Sequence, residues 1–432
     1  MHAAKCAEVL KMTMGTDSGG ITFPYEIDNA FSGELKIELP FELDPSDNCV
    51  LPSLALAASV FLAQLCLART IVSEFPCNEE MVGAIRPIVQ LLYDVRCFKD
   101  RIPYQPTPHF NLRWHSNPKL FTLPSVRRAS LLWSGGIDST LCLISLLRNE
   151  YELFPLHIAS NKGSEISEEQ AVRELSHVLG VPYSRGRVFF PQLSEIGRHY
   201  STAFDVFPYE NAVPFGRDLL LILVAALIAR RQSTPFVCIG GDYDGRHRQI
   251  RHNDRTIHRH DLESAYACST LQSFLWEFVS PSLRLMPPLA QLTKYRILHE
   301  MIVKHPVLAS TASFCFWGEP CGRCFKCQLY YLAERALQRK VFAFQTDPVL
   351  DRESEIALCV SDPDSENIPS SQTFHYFLSR IVERGEILPQ EALLLEYRDR
   401  VYPQFQGRLT EMEQSLMHIY PDSIIPNDFH VL

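Results

Sequence analysis

Three groups of residues in this 432-residue chain have types and spacings suited to chemistry. The first is Ser134-Gly135-Gly136-Ile137-Asp138-Ser139-Thr140, which follows the apolar run Ala-Ser-Leu-Leu-Trp ending at Trp133. Paired glycines let a backbone turn tightly, adopt positive φ and come close to a ligand. A Gly- and Ser-rich turn that opens a helix presents backbone N–H groups and hydroxyls, so it attracts a phosphate or pyrophosphate; an ordinary turn with an N-cap serine is the alternative. The second group is Cys315-x5-Cys321-x2-Cys324-x2-Cys327, with Gly322 inside the tightest part. Four thiolates at this density form a tetrahedral zinc site, although an iron–sulfur cluster or a redox pair uses the same ligands. The third group is the arginine- and histidine-rich stretch 246–260, suited to binding phosphates or to remaining a solvated loop.

The elements that must position these groups follow from periodicity. Between residues 128 and about 240, short apolar runs alternate with helical stretches, the pattern of βαβ crossovers and a parallel sheet. One of the helices carries Val172, Leu175, Val178 and Leu179 at helical spacing and meets a stop signal at Gly180. The expected fold class is therefore α/β, a doubly wound parallel sheet over residues 126–337 that includes the cysteine array. An N-terminal α+β accessory domain (1–125) and a helical, acidic C-terminal extension (338–432) flank it. Ligands of such sheets sit beyond the carboxyl ends of the strands. The 134–139 turn, Ser160 and the 240–244 segment, which includes Gly240, all fall at such places.

Composition narrows the class of protein. At 46% hydrophobic and 21% charged residues, the chain has the material for a large core and is not disordered. A net charge of −9 gives no reason to expect nucleic acid as a partner. The 13 cysteines are an odd number and the start of the chain has no apolar secretory core, which points to free thiols in a reducing, cytoplasmic setting. Residues 51–72 are apolar enough to suggest a membrane span, but Gln64 and Arg69 interrupt them and no basic flank orients them. A buried core helix is expected there, and no membrane partner.

Ser134-Gly-Gly-Ile-Asp-Ser139 matches the SGGxDS signature of the PP-loop ATP pyrophosphatases. Neither a Walker A lysine nor a G-x-G-x-x-G pattern is present. With the four-cysteine knuckle downstream, residues 128–335 resemble the QueC-like branch of that family, the 7-cyano-7-deazaguanine synthases. Two further stretches are similar to family motifs: Val213-Pro-Phe-Gly-Arg217, near V-P-x-R-N, and Pro288-Leu-Ala-Gln-Leu-Thr-Lys294, near P-L-x-x-L-T-K. Asp218 stands where the family has Asn, and Arg296 where it has Glu. The arginine- and histidine-rich stretch replaces the family's Ser-Gly-Tyr-Pro-Asp-Cys-Arg run.

The resemblance implies ATP and Mg2+ bound by Ser134, Gly135, Gly136, Asp138, Ser139, Thr140, Ser160 and Gly240, with Zn2+ on the cysteines. It assigns Asp138 to magnesium, and Lys294 and Arg217 to offsetting charge on phosphates or an adenylate. Phe215, Asp242, Tyr243, Asp261 and Glu263 would face a deazaguanine-type substrate. The long flanks resemble QatC of the bacterial Qat anti-phage systems. There the expected reaction is adenylation of the 7-carboxy-7-deazaguanine carboxylate, then amide formation with an amine of a partner protein. Nitrile synthesis with ammonia, or a non-catalytic nucleotide-binding scaffold, are the alternatives.

Overall fold

The computed structural model describes residues 6–17, 20–75, 77, 79–100, 109–111, 127–159, 165–200, 217–247, 249–252, 255–258, 261–315, 318–345, 348, 350, 357–361, 371–420, 422, 425 and 429. Ser160 and Phe215 lie outside them. In chain order the strands are β1 (Val9–Met12), β2 (Gly15–Asp17), β3 (Gly20–Ile27), β4 (Phe31–Glu38), β5 (Thr70–Ser73), β6 (His109–Asn111), β7 (Arg128–Leu132), β8 (Glu152–Ala159), β9 (Ser184–Phe189), β10 (Phe236–Cys238), β11 (Gln249–His252), β12 (Arg255–His258) and β13 (Arg284–Met286).

A parallel block in the order β13-β10-β7-β8-β9 forms the centre. Because β7 is flanked by β8 on one side and β10 on the other, the winding reverses between β7 and β10. That reversal opens a crevice at the strands' carboxyl ends. Neighbouring strand residues face opposite layers: Val237 and Leu285 enter one apolar core, Cys238 and Met286 the other. The first core includes the helices Leu51–Cys66, Arg217–Arg231 and Ala265–Phe278. The second includes Ile137–Arg148, Phe325–Leu337 and the C-terminal helix Ser371–Glu383. Helices thus cover both faces, as the alternating pattern predicts.

The N-terminal segment forms its own strands but not its own sheet. β4 pairs antiparallel with β9, aligning Lys36 with Phe189, Ile37 with Val188 and Glu38 with Arg187. β3, β1, β5 and β6 then continue the sheet to eleven strands, with β2 paired beside β3. The apolar stretch at residue 51 becomes a 16-residue helix in which every residue but Pro52 is buried. It packs along the helix that starts at Arg217. Among the described residues no helix is long and apolar enough to cross a membrane.

Two local expectations need revision. Val172 and Leu175 of the helix Glu165–Leu179 are buried, but Val178 is 53% exposed. Steps of three residues fall short of a full turn, so the stripe has rotated about 120° by the second step. The arginine- and histidine-rich stretch also contains order: β11 and β12 form an antiparallel ribbon in which Ile250 faces Ile257, and Ile257 is buried.

Ile37 is fully buried at the seam between the N-terminal and central strands. Ile37→Ala should cost about 2–5 kcal/mol. Because the first core spans both regions, denaturant unfolding followed by fluorescence and circular dichroism should remain a single transition. Two separate transitions would contradict a shared core.

Candidate active site

The glycine turn leaves β7 and starts the helix Ile137–Arg148 at the crevice. Gly135 has φ 72°, and a Cβ there would lie 3.0 Å from the Glu168 carbonyl oxygen and the Val172 nitrogen, so only glycine fits without strain. Gly136 is the helix N-cap and uses no side-chain cap, which leaves the first-turn N–H groups for a ligand. The Ser134 and Ser139 hydroxyls lie 3.1 Å apart, and Ser139 also donates to the Gly136 carbonyl at 3.2 Å. Thr140 is buried and accepts from the Trp133 indole N–H at 3.3 Å, so it supports the turn from within rather than facing a ligand. Outside braces hold the turn: Trp133 N–H donates to the Leu156 carbonyl and Ser313 N–H to the Gly135 carbonyl, both at 2.9 Å.

Lys294 ties three segments together. Its Nζ lies 2.7 Å from Asp138 Oδ1, in the first turn after the glycines, and 3.1 Å from Asp242 Oδ2, in the loop after β10. Lys294 itself opens the short helix Lys294–His299, which Thr293 caps by accepting from Arg296 N–H at 3.2 Å. Its backbone N–H donates to Asp244 at 3.0 Å, and Tyr243 N–H donates to the Leu292 carbonyl at 2.8 Å. Burial works against an ammonium here, but Asp138 and Asp242 outweigh it and hold Lys294 charged, well above the usual lysine range.

A cavity of about 270 Å³ lies beside this cluster, just under the usual range for small-molecule sites of about 300–1,000 Å³. Ser134, Asp138, Ser139, Arg217, Gly240 and Glu263 all line it, with apolar walls from Leu156, Ile158, Leu221 and Leu262. Arg217 is 9% exposed and bonds Asp218 through Nε and Nη2, at 3.3 and 3.2 Å. Among the described residues its buried Nη1 has no hydrogen-bond acceptor, a donor that an anionic ligand would satisfy. Burial first, then Asp242 and Asp218, push the Glu263 carboxyl well above the usual range, against the pull of Lys294. Gly241 has φ 152°, and a Cβ there would lie 3.7 Å from the Glu263 side chain.

Of the expected substrate residues, Asp242 stands with Lys294 and Glu263 lines the cavity, whereas the Tyr243 ring stacks on Tyr420 at 3.8 Å. Asp261 is described only through its backbone, in the 3-10 turn Asp261–Glu263. Trp133, His157, Glu168 and Lys326 also line the cavity and were not singled out from the sequence. A position right after a strand's apolar run was the available signal for Trp133; the other three carry none.

The four cysteine sulfurs lie within 4.8 Å of one another, with Cys315 to Cys324 and Cys321 to Cys327 both at 3.9 Å. Four sulfurs at the zinc–thiolate bond length of about 2.3 Å around one ion stand about 3.8 Å apart, close to these two separations, so the residues fit a zinc ion. Gly322 takes φ 71°, and the Arg323 and Cys324 N–H groups both point at Cys321 Sγ at 3.4 Å, ready to stabilise a thiolate. Cys324 is the N-cap of the helix Phe325–Leu337, which carries Lys326 to the cavity.

Two outcomes follow. Purified protein should contain about one zinc per chain by elemental analysis, and Cys324→Ser should lose the metal and melt at lower temperature, since a structural zinc contributes directly to folding. Glu263→Gln should be more stable than the parent at pH 8, with the gap closing toward pH 4. A carboxyl raised in the folded state loses stability as pH rises from its unfolded pKa of about 4.3 through its folded one. Thermal melts of both proteins across that range check it; equal midpoints at pH 8 would show that Glu263 carries no such cost.

No protein-family model matches the chain. It is similar to the 7-cyano-7-deazaguanine synthase of Campylobacter concisus, 23% identical over 214 residues, which are 47% of this chain and 92% of that protein. The same-named protein of Campylobacter jejuni subsp. doylei is 23% identical over 218 residues, 47% of this chain and 91% of its own. A shorter match, 37% over 67 residues, links 16% of the chain to 30% of 7-cyano-7-deazaguanine synthase 1 from Desulfitobacterium hafniense. Over about half its length, this chain is thus a distant relative of the 7-cyano-7-deazaguanine synthases.

Proposed function

We propose that the protein is an ATP-dependent carbon–nitrogen ligase that adenylates the carboxylate of 7-carboxy-7-deazaguanine, or a similar deazapurine, and joins it through an amide to an amine of a partner protein in anti-phage defence. The observation that carries this reading is the glycine turn at the β7/β10 crevice, with Asp138, Lys294 and Asp242 beside a cavity that holds an unsatisfied arginine donor. The names of the relatives support a deazaguanine substrate.

In the first step, a substrate carboxylate oxygen attacks the α-phosphorus of ATP and the bond to the β-phosphate oxygen breaks, releasing pyrophosphate. The turn's N–H groups and the Ser134 and Ser139 hydroxyls are placed to hold the departing charge. Arg217 Nη1 and the Lys294 ammonium offset charge on the adenylate. When bound, Mg2+ would supply charge neutralisation on the triphosphate; Asp138 and Asp242 are hard oxygen ligands suited to it. In the second step, a neutral amine attacks the acyl carbon, AMP leaves, and the amine's proton goes to solvent. Glu263, whose carboxyl burial pushes toward the protonated form, can in that form donate as well as accept a hydrogen bond along the edge of the base. The ribbon β11–β12 lies in sequence between Arg246 and the cavity residue Glu263, so its Arg251, His252, Arg255 and His258 belong to a segment that ends at the cavity. ATP and free thiols fit a cytoplasmic enzyme.

The names of the relatives also favour a second reading, nitrile synthesis with ammonia as the nucleophile. Incubation with ATP, Mg2+ and 7-carboxy-7-deazaguanine, with partner protein or ammonia added, separates the two by mass spectrometry. Pyrophosphate release and a mass increase on the partner are expected, and Asp138→Asn should lower release by at least about a hundredfold. A small-molecule nitrile would move the assignment to the second reading, and no pyrophosphate with any amine would make the fold a nucleotide-binding scaffold.

A further inference from the structure

We infer that residues 416–420 and Asp422, far outside the central sheet, form a clamp that positions Lys294, with Asp422 and Tyr420 as its positioning residues. The inference rests on the adenylating reading for its kinetic consequence but not for its geometry.

Two loops meet at the site: the one after β10 supplies Asp242, and the one after β13 supplies Lys294. Each is bonded to the C-terminal segment. From the first loop, Arg246 Nε lies 2.6 Å from Asp422 Oδ2, and these two side chains are 1% and 5% exposed. The Tyr243 ring stacks on Tyr420 with centroids 3.8 Å apart and planes within 15°. From the second loop, the Gln291 carbonyl accepts from Tyr420 N–H at 2.9 Å, and Leu292 bridges antiparallel to Ile419. Thr293, which caps the helix that Lys294 opens, donates its hydroxyl to the Leu416 carbonyl, and Arg296 donates to the Met417 carbonyl.

The consequence is mechanical. Arg246 lies four residues from Asp242, on the short helix Tyr243–His247, whose start is held by the Asp242 carboxylate accepting from Gly245 N–H at 2.7 Å. Fixing Arg246 and Tyr243 therefore fixes Asp242, and fixing Thr293 fixes the start of the Lys294 helix. A buried ion pair is destabilised strongly when one partner is lost, because the other charge is left without compensation. Weakening Asp422 should loosen both loops together and release Lys294 from its carboxylates.

The test uses the full chain. Lysine labelling with an amine-acylating reagent, quantified by mass spectrometry, reads the clamp without any reaction, with the 54% and 53% exposed Lys11 and Lys304 as internal references. Asp422→Asn should raise Lys294 labelling several-fold with the references unchanged. It should lower kcat for pyrophosphate release by roughly 10–100-fold. Asp422→Glu should recover part of both. Should Asp422→Asn fail to fold, the ring pair decides: Tyr420→Leu should behave like the charge loss and Tyr420→Phe like the parent. Unchanged Lys294 labelling in folded Asp422→Asn or Tyr420→Leu overturns the clamp. Absence of pyrophosphate from the parent protein overturns the adenylating reading instead, and the labelling result still decides the clamp.

Discussion

A single ammonium, that of Lys294, holds together segments that are far apart in the chain. Burial works against its charge, and Asp138 and Asp242 beside it outweigh that effect. The helix after β7, the loop after β10 and the loop after β13 must therefore converge at one point, the crevice where the sheet's winding reverses. The same convergence faces Arg217 and Glu263 toward one cavity. Among the described residues the Arg217 Nη1 donor has no partner, and it marks where a ligand's acceptor would complete the hydrogen bonding.

The glycine turn needs support because its own residues contribute little packing. Val172 and the Glu168 backbone close over Gly135 from one helix, and Ser313 N–H holds its carbonyl from another segment. Ser313 lies two residues before Cys315, so the cysteine knuckle braces the turn at one end and delivers Lys326 to the cavity at the other. The knuckle is thus more than a local staple: it joins the glycine turn to the helix Phe325–Leu337. The N-terminal region plays the matching part on the opposite face, where the helix Leu51–Cys66 lies along the one that starts at Arg217.

What distinguishes this chain from a minimal parallel sheet is material added at both ends. At one edge, β4 pairs with β9 and converts a parallel edge into an antiparallel extension. This covers an edge that would otherwise present unpaired N–H and C=O groups. At the other end of the sequence, the C-terminal helices complete the second core, and Tyr420 and Asp422 reach the loops that carry Asp242 and Lys294. Extensions that bury apolar area and also grip site loops couple stability to the site's geometry.

The features legible in the sequence are those whose cause is local. Glycines at 135 and 136, the cysteine spacing and the alternation of apolar runs with amphipathic stretches each depend on neighbours within a few positions. The turn, the knuckle and the central sheet could therefore be anticipated, along with the burial of the helix that begins at Leu51. Tertiary structure alone decided the rest. Nothing near Arg246 in sequence announces Asp422, 176 positions away, or tells that Tyr243 meets Tyr420. The charged composition of 246–260 hid an antiparallel ribbon, and local strand pattern could not say that β4 would dock on β9. Pair contacts of this kind arise from global packing, in which a side chain's partner is set by where two surfaces are brought together, not by the residues beside it in the chain.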